Sequence, residues 1–142
     1  MPNMVRSEVL VQLVSATLMG TAAITALVAN RVVGGFVRDE DWGSLQKPAI
    51  AIVQSGGHAH FSGVLGSFPM EIWALSGHSE GQARHLYDLA FAALQAGELY
   101  VAGVDHRGVA WEQERPALGW YDAAGTWYCR GRWLIQAARS NP

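Results

Sequence analysis

The residues in this chain whose types and spacing suit chemistry sit first of all in the string Gly77-His78-Ser79-Glu80-Gly81. It fits G-x-S-x-G, the tight strand-to-helix turn that exposes a nucleophilic serine in α/β-hydrolases. Such a serine needs a base within hydrogen-bond reach and a carboxylate to orient that base. After Ser79 the histidines are His85, on the same predicted helix, and His106, directly behind Asp105. Neighbouring side chains diverge, so Asp105 and His106 make a poor couple, and Asp88 is the acid left to substitute. No His-Gly-Gly-Gly oxyanion segment precedes Ser79, and only two plausible strands do. The same residues also read as a helix start. Ser79 is then an N-cap, Gln82 completes an S-x-x-Q capping box, and Glu80 lies where the helix dipole favours negative charge. The cap is the preferred reading, with a small serine hydrolase as the alternative it displaces.

Other chemistry-bearing residues are sparser. His58 and His60 form H-x-H, which on a strand projects two imidazoles to one side, but a zinc site needs three or four ligands. The further candidates, His78 and Cys129, are remote in sequence, so solvent-facing histidines and no metal are expected. Asp39-Glu40-Asp41 lacks calcium-loop spacing. Gly56-Gly57 has no following helix to help hold an anion. Cys129, flanked by Tyr128 and Arg130 on an alternating stretch, reads as a small core residue. No cofactor-binding pattern is present.

The elements that must position these residues belong to one domain spanning 1–142. Half of the 142 residues are hydrophobic and 15% are charged, which excludes disorder. A net charge of −2 without a basic run argues against gripping DNA through its phosphates. A single cysteine excludes an intrachain disulfide and suits a reducing compartment.

Val9 to Ala29 carries no charge and is long enough to span a bilayer. Yet Gln12, Ser15, Gly20, Thr21 and Thr25 dilute it, and Glu8 spoils a signal-peptide n-region. Val9, Leu10, Leu13, Val14, Thr17 and Leu18 follow the i, i+3, i+4 stripe of a core-facing helix, so an uncleaved core helix capped by Ser7 and broken at Gly20 is expected, with no membrane partner. A second short run covers Ala22 to Ala29.

Gly34 to Lys47 reads as a loop, Ala49 to Val53 as a strand, and Gly57 to Ser67 as a hairpin tip. Phe68 to Leu75 reads as a strand with Phe68, Met70, Ile72 and Ala74 on one face. Ala83, Leu86, Tyr87, Ala90, Phe91 and Leu94 form the stripe of a helix from Ser79 to Ala96, closed by Gly97. Leu99 to Val104 follows as a strand and Asp105 to Gly108 as a turn. The last third reads as a long hairpin in which Glu112 and Glu114 face Arg130 and Arg132. The fold class expected is α+β: a mainly antiparallel sheet of about five strands with an N-terminal helix and one long amphipathic helix packed on it.

Trp42 in a polar loop and Trp120 beside Tyr121 are large aromatics in exposed contexts, typical anchors of interfaces. From about Ala22 to Ala137 the segments "AAITALVANRV", "GGFVRDEDWGSLQKPAIAIV", "FPMEIWALSGHSEGQARHLYDLAFAAL", "LYVAG" and "TWYCRGRWLIQA" follow one another in an order and spacing that resembles the tail terminator (tail completion) proteins of long-tailed bacteriophages. In that family a strand ending in "VWS"-like residues turns into a helix beginning near a serine and a glycine, and that serine is not catalytic. The resemblance implies a homo-oligomeric ring, a hexamer, that caps the tail tube, stops its growth and docks onto the head connector. Its partners would be other copies of itself, the major tail tube protein and the head-tail connector or stopper, with DNA only passing through the lumen. A head-closure or connector protein of the same neck is the alternative. Candidate contact residues are Phe36, Arg38, Asp39, Asp41 and Trp42 in one loop, His58, His60 and Phe61 in the next, and Trp120 and Tyr121 at the hairpin end.

Overall fold

The computed structural model describes residues 7–34, 48–54, 58–59, 65–100, 106–114, 116–121 and 125–139. The elements follow in the order α1 (Ser7–Met19), α2 (Ala22–Val28), β1 (Val32–Gly34), β2 (Ala49–Gln54), β3 (His58–Ala59), β4 (Leu65–Ser76), α3 (Glu80–Gln95), β5 (His106–Glu112), β6 (Ala117–Tyr121) and β7 (Thr126–Arg139). The class is α+β with a mainly antiparallel sheet. Its order is β1-β2-β4-β7-β5, with β3 joined to β4 and β6 to β7. Among the described residues there are seven strands, of which β1, β3 and β6 were not expected; β1 and β3, at three and two residues, are too short to leave a period in the sequence. β1 runs parallel to β2, while the other pairs are antiparallel.

Long strands β4 and β7 form the spine, in register from Leu65↔Ala138 to Ser76↔Trp127. Alternation sends Phe68, Met70, Ile72 and Ala74 of β4, and Cys129, Trp133, Ile135 and Ala137 of β7, into one buried core. The same core takes Ala83, Leu86, Tyr87, Ala90 and Leu94 from α3, so both apolar stripes read from sequence meet on this helix face. α1 adds Val9, Leu10, Leu13, Val14 and Leu18, and α2 adds Ile24 and Val28. The chain bends by 93° between the two N-terminal helices. At Gly20 a side chain would sit 3.3 Å from the Ala16 carbonyl, tight against the turn that closes α1. No single described helix is long and apolar enough to cross a membrane.

Arg31 ties α2 to the sheet. Its Nη2 donates to the Leu27 carbonyl at 3.1 Å and its Nε to the Pro48 carbonyl at 2.9 Å. A guanidinium thereby satisfies an orphan carbonyl at the end of α2 and fixes the start of β2.

Three expectations are corrected, and a fourth falls mostly outside the described residues. β4 begins at Leu65, three residues before Phe68, because His58 and Ala59 pair with Ser67 and Gly66 and extend the ladder. Of the strand expected at Leu99–Val104, Leu99 makes a bridge to Gly108, and residues 101–104 lie outside the described residues. The turn expected at Asp105–Gly108 is, from His106 on, already β5. Finally β5 faces the other way round: Ala110 and Glu112 oppose Ile135 and Trp133 on the helix face, leaving Val109 and Trp111 outside. Glu112 therefore does not meet the arginines.

Candidate interaction surface

Residues on the sheet face away from the helices form rows that cross several strands. One runs from edge to edge as Val33, Ala51, Trp73, Arg130 and Ala117. The Arg130 guanidinium lies 5.1 Å from the Trp73 ring centre, and the Tyr128 ring, tilted to the same indole, lies with its centre 5.1 Å away. Trp73 Nε1 donates to Glu71 at 3.3 Å. The same carboxylate lies 3.9 Å from Arg130 and 3.8 Å from Arg132, and Arg132 reaches Glu114 at 3.6 Å. The expected Glu114–Arg132 pair thus forms, and Glu71 takes the place assigned to Glu112. The Arg132–Glu114 pair is exposed and contributes little stability, while Glu71 is half-buried beside both arginines; together they hold a patterned, charge-balanced surface around Trp73. At one end Ala49, Ala51 and Leu75 form a small buried cluster packed with Trp73 and Tyr128. At the other, Pro69, Leu134 and Trp111 form a row beside Val109, with Trp111 37% and Val109 42% exposed.

Strand-to-helix turn Ser76–Gln82 is a hydrogen-bond knot. Gln82 N–H donates to Ser79 Oγ at 3.0 Å, the N-cap bond expected. The second half of the capping box is not made directly. Ser79 N–H donates instead to Ser76 Oγ at 3.2 Å, His78 N–H joins it at 3.1 Å, and Ser76 Oγ–H donates to the Gln82 side-chain carbonyl at 2.6 Å. Ser76 is fully buried and relays the box. Among the described residues no histidine is hydrogen-bonded to Ser79.

Glu112, turned to the helix face, accepts a hydrogen bond from the Tyr87 hydroxyl, which itself accepts from Trp133 Nε1 at 2.9 Å. Burial, reinforced by the Glu112 bond, pushes the Tyr87 phenol far above its ordinary range. Burial likewise raises the Cys129 thiol to about 11. Cys129 is the core residue expected, and a protonated thiol of that kind is a poor nucleophile.

Among the described residues no group of three His, Cys, Asp or Glu could hold a metal. A cleft of about 500 Å³ between the ends of α1 and α3 is lined by small residues with Glu98 and Tyr100. Two of its lining residues are engaged by Arg107, which lies 4.4 Å over the Tyr100 ring and 3.6 Å from Glu98.

Of the residues proposed from sequence as contacts, Trp120 is 45% exposed and packs edge-on to Trp127 at 4.8 Å. Tyr121 follows it at the end of β6, and His58 lies in β3 opposite Ser67. Phe36, Arg38, Asp39, Asp41, Trp42, His60 and Phe61 lie outside the described residues, as do the Asp39-Glu40-Asp41 and Gly56-Gly57 readings. Trp73 and Trp111 were missed as outward residues; alternation along β4 was the signal for Trp73, and Arg130 lies on the polar face expected for it. No family model matches the sequence, and no curated protein matches it.

Proposed function

We propose that this chain is the subunit of a ring, of six copies, that caps the tail tube of a long-tailed bacteriophage, ends its growth and joins it to the head connector. The resemblance of segment order from about Ala22 to Ala137 is the source of this reading. The observation that carries it is the sheet's outer face. All three described helices pack on the opposite face, while Trp73, Trp111, Val109 and Leu134 stand outward at the level of the strands. A patch of aromatics set among paired charges is the composition of a protein-binding surface. The interaction partners are further copies of the chain, the tail tube protein and the connector, and DNA passes through without being read. Near-neutral charge agrees with that passage, since a basic lumen would hold phosphates.

Native mass spectrometry and electron microscopy of the purified chain test this reading. A particle of six times the 15.3 kDa chain mass, seen as a ring that binds the end of assembled tail tubes, is expected. A monomer at all concentrations overturns it, and a ring that binds connector but not tube moves the chain to the head-closure class.

A further inference from the structure

We infer that the surface this ring presents to the tail tube reaches past Trp111 to a corner formed by Tyr100, Arg107 and Val109. The tube surface that it takes is apolar and carries no net charge. This deepens the ring reading and rests on it.

Register places the corner. Leu99 bridges Gly108 antiparallel, and Leu99 is buried in the helix-side core. Alternation turns its neighbours Glu98 and Tyr100 to the opposite side, beside Arg107 and Val109, which flank Gly108. The contacts agree, with the Arg107 guanidinium 4.4 Å from the Tyr100 ring centre and 3.6 Å from Glu98. Val109 lies between Arg107 and Trp111 on the same face of β5, so the corner continues the outward row without a break. Tyr100 is 54% exposed, and Val109 and Trp111 stand outward beside it.

Tryptophan, tyrosine and arginine are the residue types that carry most binding energy in protein contacts. One of each stands in this corner, with Val109 between them. Arg107 is already held by Tyr100 and Glu98, so it has less side-chain freedom to lose when a partner covers it. Charge decides what that partner is. On this face Arg107 pairs with Glu98, Arg130 with Glu71, and Arg132 with both Glu71 and Glu114. Among the described residues, three arginines thus meet three glutamates. A nucleic acid, or an acidic or basic segment, would find no net attraction there and would have to take over charges already paired. A neutral apolar surface instead buries Tyr100, Val109 and Trp111 and leaves the ion pairs at its rim.

Surface plasmon resonance of assembled rings on tail tube ends tests this with Tyr100→Ala, Tyr100→Phe and Arg107→Ala. Tyr100→Ala and Arg107→Ala are each expected to bind about 10-fold more weakly or worse, and Tyr100→Phe to bind as wild type does, since its ring still stacks. All three should keep the wild-type circular dichroism and assembled mass, because side chains this exposed hold little of the fold. Wild-type affinity should change by less than about 3-fold between about 0.05 and 0.5 M salt. Tyr100→Ala binding at wild-type affinity overturns the inference and leaves the ring reading intact. So does loss of assembly in that variant, which moves the corner into the contact between copies. Should Tyr100→Ala unfold, Arg107→Ala decides alone, and wild-type binding by it overturns the inference. A steeper fall with salt overturns the uncharged tube surface. A wild-type monomer, or a wild-type ring that ignores tubes, overturns both readings.

Discussion

At the turn before α3 two serines divide the capping between them, and their burial makes the division unequal. Ser79 accepts one amide bond at a half-exposed site, so Ser79→Ala is expected to lower stability by about 1 kcal/mol, read from the urea midpoint. Ser76 accepts two amide bonds and donates a third from full burial. Ser76→Ala leaves two amides and the Gln82 carbonyl without their partner, and about 2–3 kcal/mol is expected. Equal losses would show that the relay through Ser76 is not what holds the turn. The protonated Cys129 thiol makes a second residue-level prediction. Its pKa is raised from 9.0 to about 11, so the folded state binds this proton more tightly than the unfolded state. Its contribution is complete below about pH 9 and is lost as pH rises through 11. The raised Tyr87 phenol acts in the same direction at higher pH. Stability measured in urea should therefore fall above pH 9. The gap between wild type and Cys129→Ala should change by on the order of 2 kcal/mol between pH 8 and 11.5. Parallel curves would remove the thiol from the account.

Among the elements, α3 and β7 were the most legible in sequence and β5 the least, for physical reasons. α3 carries a 3.6-residue stripe, a serine cap and Gly97 at φ +147, three local signals that agree. β7 alternates small and large apolar residues with polar ones over its length. β5 alternates as well, but Val109 and Trp111 are the larger apolar residues, and hydrophobicity alone turns them inward. A cavity-filling constraint decides otherwise. Tyr87 projects from α3 over Gly131, where a side-chain carbon would sit 1.7 Å from the phenol oxygen. That oxygen needs Glu112 on the same face, and Glu112 can reach it only if Val109 and Trp111 point out. Packing of this kind lies between residues some 25 to 46 apart and has no local signature. Gly131→Ala is accordingly expected to cost about 3 kcal/mol or more, by overpacking against a hydroxyl held on two sides. Tyr87→Phe alone strands Glu112 and Trp133 and is expected to cost about 1–3 kcal/mol. In the double variant the contact at the hydroxyl disappears while two ring carbons remain 2.5 and 2.9 Å from the added carbon, so the relief is partial and the cost should fall short of the sum by roughly 1 kcal/mol, measured by chemical denaturation of all four proteins. Strict additivity would mean that Gly131 makes room for the ring alone and not for the hydroxyl.

For the molecule as a whole, the division into a helix-covered face and an outward aromatic face separates stability from binding. The core side holds every helix stripe and both spine strands, and substitutions there reach the fold. The Pro69–Leu134–Trp111 row lies on the other side, away from that core. Trp111 is already 37% exposed, which limits what its loss takes from the fold. Trp111→Ser with Leu134→Ser is therefore expected to change unfolding free energy by about 1 kcal/mol or less and to leave the assembled mass unchanged. On the proposed function, binding of the ring to tail tube ends, measured by pelleting or surface plasmon resonance, should weaken by at least about 30-fold. That is the scale of losing one aromatic hot spot of about 2 kcal/mol. Wild-type affinity in this variant would place the tube contact elsewhere on the molecule. A loss of assembly instead would place the row inside the contact between copies.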